Sequence, residues 1–231
     1  MKIINLLIVC TMLVFSCHIS SAFEVLNGEI IEITGPDDLE LDPSNTVLAV
    51  DVFGNGDSVI NDVEFFTDRA GLGAQVTGEG IVEKDGVSIT TTATNTIDNW
   101  ANAQTFTGSD ADSTFNLSEV MRDIRWSAAP NPLTIDIAGL NSGGIYNLKL
   151  LFNEGADRDR GWDITSNGEI IVDNITSEGG DGFWSPENTF VYSGDLTADE
   201  DGNIAIEMRN DIGGEPQISS DGNPILQGIV L

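Results

Sequence analysis

The stretch LTIDIAGL, from Leu133, places Leu133, Ile135 and Ile137 on one face of an extended chain and Thr134, Asp136 and Ala138 on the other. This period of two recurs. IYNLKLLF aligns Tyr146, Leu148, Leu150 and Phe152, and GNIAIEMR aligns Ile204, Ile206 and Met208 against Glu207 and Arg209. Strict alternation over such lengths is the pattern of half-buried antiparallel strands. The same reading predicts strands over Glu29–Thr34, Thr46–Phe53, Val59–Phe66, Ala74–Glu83, Val87–Thr92, Trp162–Thr165, Glu169–Ile175, Thr189–Ser193 and Ile225–Leu231. Between them stand Asp85-Gly86, Ser142-Gly143-Gly144, Asn167-Gly168 and Asp201-Gly202-Asn203. Asn-Gly between WDITS and EIIV is a hairpin signal, because a type I′ turn needs positive φ at both central residues. Many short strands joined by such turns predict an all-β fold, an antiparallel β-sandwich or jelly roll. One segment departs from this. In LSEVMRDIRW, Leu117, Val120, Met121 and Ile124 fall at helical spacing after an N-cap candidate, Ser118, which predicts one short helix plugging an end of the sandwich.

The N-terminus reads differently. Lys2, the apolar run from Ile3 to Phe15 and the small residues Ser20-Ser21-Ala22 have the form of a secretory signal peptide over 1–22. Residues 23–45 form a lead-in, and 46–231 the sandwich. The expected location is secreted, extracellular or periplasmic. Retention as a membrane anchor and lipid anchoring at Cys17 are the alternatives. Cys10, Cys17 and His18, the chain's complete stock of cysteine and histidine, lie in the segment to be removed. A mature chain without them forms no disulfide, no Cys/His zinc site and no Ser-His-Asp or Cys-His catalytic centre. The chain as a whole is strongly acidic, with a formal net charge of −29. It offers no basic face for nucleic acid or for an anionic membrane.

Several residues invite a functional reading. The acidic turns Asp199–Asn203 and Asp221–Pro224 carry hard oxygen ligands for a structural calcium ion, although neither matches an EF-hand loop, and no cofactor is otherwise required. Asx-rich turns also form without an ion. Paired carboxylates could serve a glycosidase, but no local pattern singles out a pair. The four tryptophans, Trp100, Trp126, Trp162 and Trp184, can stack on sugar rings or fill the core; Trp162 alternates with Ile164 and is expected in the core, whereas Phe183-Trp184 in a Gly-rich loop offers a stacking platform or folds back as a hydrophobic lid. Asn116-Leu117-Ser118 and Asn174-Ile175-Thr176 are acceptor sequences for N-glycosylation. In NEGADRDRGWDIT, Arg158 is left to face a ligand, while Arg160 is expected to pair with Glu154 across an exposed loop mouth.

Three stretches together resemble malectin-like domains: TVLAVDVFGNGDSVINDVEFFTDRAG, GGIYNLKLLFNEGADRDRGWDITSNGEIIVDNI, and GNIAIEMR followed by DGNPILQGIVL. Phe152, Glu154, Arg160, Trp162, Asp163 and Gly168 match that family's core signature in order, and the likeness covers Thr46 to Leu231. The run from VMRDIRW to NLKL is also similar to galactose-binding-like domains of bacterial surface proteins. The resemblance implies a jelly-roll sandwich that binds a poly- or oligosaccharide through end loops, without catalysis. By the same likeness Phe66 takes the place of a stacking aromatic and Asp221 that of a sugar-binding acid. The aromatic pair that follows the aromatic-x-Glu in the family is replaced here by Gly155-Ala156-Asp157-Arg158. The expected carbohydrate-binding residues are thus Phe66, Arg158, Phe183, Trp184 and Asp221. A structural or adhesive surface domain of the same fold, contacting extracellular components, is the alternative.

Overall fold

The computed structural model describes residues 24–69, 78–154, 160–176, 189–210, 212 and 221–231. The signal-like segment and the site candidates Arg158, Phe183 and Trp184 lie outside these residues. Two seven-stranded sheets face each other. The first runs β1 (Glu24–Val25), β13 (Glu169–Thr176), β12 (Gly161–Ser166), β15 (Ile204–Arg209), β10 (Leu133–Ala138), β7 (Val87–Ala93) and β6 (Gly78–Lys84). The second runs β2 (Glu29–Ile33), β14 (Thr189–Thr197), β11 (Ile145–Asn153), β17 (Gly228–Val230), β3 (Ala49–Asp51), β5 (Val63–Thr67) and β4 (Ser58–Ile60). A small third sheet holds β16 (Ile225–Leu226), β9 (Ile124–Trp126) and β8 (Asn95–Ile97). The all-β sandwich expected from the alternation is the fold. Its strands pair antiparallel with one departure among the described pairs: β3 and β5 run parallel, Val50 opposite Phe66. The lead-in is built into both sheets, β1 pairing with β13 and β2 with β14.

The main core forms where alternating residues of the two sheets meet. Ile89, Ile135, Ile137, Ile164, Ile206 and Met208 of the first sheet pack against Val50, Leu148, Leu150, Phe152, Tyr192 and Ile229 of the second. The second sheet is buried on its other face too. Ala49, Phe65, Leu151, Val191 and Val230 point outward into a second core beneath Leu39, Leu117, Val120 and Met121. This explains the unbroken apolar runs LAV and LLF, since a strand covered on both sides loses its polar positions.

The helix differs from the expected one. It is α1, Ala111–Val120, capped by Asp110, whose carboxylate accepts the Ser113 N–H at 2.7 Å. Ser118 lies inside the helix and donates its hydroxyl to the Gln104 carbonyl at 2.9 Å. Ile124 continues the helical spacing by coincidence of core position, but it belongs to β9. The helix also plugs no end. It covers the outer face of the second sheet and closes the edge of β4: Asn116 Nδ2 donates to the Val59 carbonyl at 2.8 Å, and the Asn61 N–H donates to Ser113 Oγ at 2.8 Å. Closing an edge in this way removes a template for unwanted strand pairing. Val59–Phe66, expected as one strand, is a hairpin, because Asn61 and Asp62 take positive φ of 47° and 63°. Asx side chains tolerate that region without glycine. Ile225–Leu231 likewise divides at Gln227 into strands of different sheets.

The registers give the sandwich two unlike ends. At one, hairpins reverse over Asn61-Asp62, Asp85-Gly86 and Asn167-Gly168, and all six residues have positive φ. At the other, the chain leaves and re-enters through longer connections: after Arg69, after Glu154, after Thr176 and before Asp221. The third sheet lies at this loop end, with Ile124, Ile225 and Leu226 inserted into the main core.

Candidate functional site

The loop end rests on buried polar groups. Asp68, at the end of the β5 segment, and Arg125 of β9 form an ion pair with Arg125 Nε 2.7 Å from Asp68 Oδ2, both side chains essentially inaccessible. Asp68 also accepts the Phe53 N–H at 2.6 Å and the Thr91 hydroxyl, and Arg125 Nη1 donates to the Gly78 carbonyl at 3.1 Å. Phe53, held at φ 62°, has two guanidiniums over its ring, Arg69 at 4.4 Å and Arg125 at 5.6 Å from its centre. A bulky residue at positive φ is costly, and the Asp68 bond to its N–H holds it there. Beside them Asp51 is buried, and its Oδ1 meets no hydrogen-bond partner. Burial first, then the charges of Asp123, Asp68, Asp57 and Glu119, push its carboxyl well above the usual range.

The signature residues fall around the next connection. Arg160 Nε donates to Glu154 Oε2 at 2.7 Å. The pair spans the loop mouth as expected, but it is buried rather than exposed, with side chains 4% and 1% accessible. Arg160 Nη1 donates to the Asn223 carbonyl at 2.8 Å, and Nη2 lies 3.6 Å from Asp221 Oδ2. Removing one partner of such a pair costs far more than it does at the surface, because it strands a charge in the interior. Trp162 is in the core, in edge-on contact with Phe152 at 5.7 Å. Asp163 accepts the Asn174 N–H at 2.8 Å and the Ile212 N–H at 2.7 Å, which holds a bulge in β13 where the register to β12 shifts. Gly168 completes the hairpin at the far end at φ 84°.

Of the expected ligand contacts, the structure brings Asp221 to this mouth. It is partly accessible and is engaged with Arg160, with the Gly161 N–H through its carbonyl, and with the Asn223 N–H through Oδ1 at 3.0 Å. Phe66 is elsewhere. It sits half-buried on the sandwich side against the main core, with Lys84 Nζ 5.1 Å from its ring centre. Two of the four tryptophans, neither singled out by the sequence as the binding platform, stand at this end instead. Trp100 is half-buried with the Arg160 guanidinium 5.9 Å over its ring, and Trp126, also half-buried, pairs with Ile225 on β16. The signal that could have found Trp100 is faint: it stands alone in an irregular polar stretch, TIDNWANAQT.

Asp199, in the acidic turn, is spent on its own backbone, accepting the N–H of Asp201 and of Asn203 at 2.9 and 2.7 Å. Among the described residues no three acidic, His or Cys side chains gather as a metal ion would require. A cleft of about 840 Å³ lies away from the loop end, between Asp37, Asp62, Asp110 and Asp112. Its walls bring no aromatic ring, so it offers less to a sugar than the tryptophan-bearing mouth. Among the described residues no helix is long and apolar enough to cross a membrane.

The class these features define is an antiparallel β-sandwich with tight turns at one end and a buried ionic network at the other. No family model matches the chain, and no curated protein matches it. Among solved structures, the complex of the plant peptide RALF23 with FER and LLG2 superposes at a TM-score of 0.50, with 14% identity over 80% of this chain and 48% of that one. The plant receptor-like kinase ANX2 gives 0.49, with 14% identity over 80% and 47%. A calcium-binding mutant of Bacteroides uniformis beta-glucuronidase 2 gives 0.48, with 16% identity over 79% and 17%. This chain spans less than half the length of each, and the first likeness concerns the fold alone.

Proposed function

We propose that the chain is a non-catalytic extracellular binding module that holds a poly- or oligosaccharide at the loop end of its sandwich. The observation that carries this reading is the meeting of the half-buried Trp100 ring, the Arg160 guanidinium and the partly accessible Asp221 carboxylate at one mouth. An indole presents an apolar face to the C–H face of a pyranose, and a carboxylate accepts from its hydroxyls. Glu154 and Asp221 together outweigh the charge of Arg160, so the mouth suits neutral sugars better than acidic ones. The absence of histidine and cysteine beyond residue 18 supports binding over catalysis.

A glycan array with the folded protein tests the proposal, and no retained glycan at high micromolar protein would end it. Trp100→Ala should weaken a hit by about tenfold, the order of one stacking contact, with unchanged circular dichroism. A second reading, a structural or adhesive surface domain, draws on the engagement of Asp221 and Arg160 with each other. In the RALF23 complex the bound partner of FER and LLG2 is a peptide, so a peptide panel belongs beside the array.

A further inference from the structure

The two N-glycosylation acceptor sequences occupy opposite environments. Asn116 is half-exposed on α1, with its Nδ2 donating to the Val59 carbonyl at 2.8 Å. Asn174 is 1% accessible and sits in the bulge of β13 at φ 54°. Its N–H is held by Asp163 Oδ1 at 2.8 Å, its Nδ2 donates to Asp173 Oδ1 at 2.9 Å, and its Oδ1 is buried with no partner. The amide is therefore packed on every side, and the bulge depends on it: few side chains other than Asn hold a left-handed backbone at modest cost.

We infer that a glycan on Asn174 and the folded sandwich are mutually exclusive, whereas a glycan on Asn116 is compatible with the fold. In the modification an Asn Nδ2–H bond is replaced by a bond from Nδ2 to the sugar's anomeric carbon. A lipid-diphosphate-linked oligosaccharide is the donor. Its diphosphate departs with the electron pair of the broken C–O bond, and the amide proton is lost to base. The transfer acts on unfolded chain, so burial in the product does not prevent it; burial sets its consequence. At Asn116 the remaining N–H still reaches the Val59 carbonyl while the sugar extends into solvent. At Asn174 no orientation of the new bond escapes the interior. The fold accordingly requires maturation where Asn174 stays bare, as in a cell that lacks this transfer.

The test is secretion of the full chain from a eukaryotic cell line, with site occupancy read by peptide mass spectrometry in the secreted and retained pools. Expected are Asn174 bare in the secreted pool and occupied in the retained pool, with Asn116 occupied in both. Thr176→Val, which removes the acceptor sequence and leaves Asn174 in place, should raise secreted yield several-fold; Asn116→Gln should leave it unchanged. Blocking transfer with an inhibitor of donor synthesis should rescue the wild type to the same extent, which covers a Thr176→Val chain that fails to fold. Secreted wild type carrying a glycan on Asn174 with a native circular dichroism spectrum would overturn the inference. So would equal Asn174 occupancy in the two pools.

Discussion

The two ends of the sandwich solve chain reversal by different physics. At the turn end, Asn61-Asp62, Asp85-Gly86 and Asn167-Gly168 reverse the chain chiefly through backbone conformation, each turn using two adjacent residues at positive φ, with the Asn61 and Asn167 amides also bonding the Pro36 and Thr197 carbonyls. At the loop end, side chains from separate segments are tied together: Asp68 with Arg125, Arg160 with Glu154 and Asp221, and Asp163 with the N–H groups of Asn174 and Ile212. A local turn can be varied without disturbing its neighbours. A network of this kind is shared, and a shared network can hold a surface shape such as the Trp100 mouth in one geometry. The contrast predicts that equal chemical changes cost unequal amounts at the two ends.

The largest effect should come from Arg125→Leu. The change leaves Asp68 buried with no counter-charge, a loss of about 3–5 kcal/mol, read as a drop in the urea midpoint. A loss under about 1 kcal/mol would mean that the network contributes no more than a surface pair. Next is Gly80→Ala. A Cβ there would collide with the Arg125 guanidinium and with Asp68, so the pair must shift, at about 1–3 kcal/mol for overpacking. In the Arg125→Leu background the same change should cost less, which makes the coupling measurable as a double-mutant cycle.

Asp51 gives a pH test of the same end. Its folded-state carboxyl is raised above its unfolded value of 3.8. As pH rises past that value the unfolded chain releases a proton that the folded chain keeps, so stability declines through the window up to the folded pKa. Asp51→Asn should therefore raise the urea midpoint at neutral pH and flatten its decline on the alkaline side of about pH 4. Parallel pH profiles for the two proteins would show that Asp51 is not the titrating group.

These contrasts also mark what the sequence could show. Turn chemistry is local, so Asn167-Gly168 and Asp85-Gly86 are legible from two letters each, as is the core-facing alternation of Leu133, Ile135 and Ile137. Asn61-Asp62 was hidden because neither residue is glycine. Helical spacing from Leu117 to Ile124 points to the wrong bounds because Val120 and Ile124 share a burial requirement, not an element; the Asp110 cap lies further upstream. Asp68 and Arg125 stand 57 positions apart, and no local pattern ties an acid after FFT to an arginine before Trp126. Arg160 and Glu154, six apart, could be paired by eye, but their burial could not, since it depends on Asn223 and Trp100 arriving from elsewhere. The mouth is less legible than the fold for the same reason: its parts meet only after the sheets are assembled.

Gly168→Ala is the smallest effect and the sharpest control on the comparison. Gly168 sits at φ 84°, and a Cβ at that position would meet nothing within 4 Å. The cost is then conformational alone, about 1 kcal/mol for placing an L-residue in the left-handed region. Gly80 is the reverse case, since it is surrounded by the Arg125–Asp68 pair and carries no positive φ. If backbone conformation governs one end and side-chain contact the other, Gly168→Ala should add to Arg125→Leu without coupling, whereas Gly80→Ala should not. A coupling energy above about 0.5 kcal/mol between Gly168→Ala and Arg125→Leu would show that the two ends are not independent. The strands between them would then transmit strain along the full length of the sandwich.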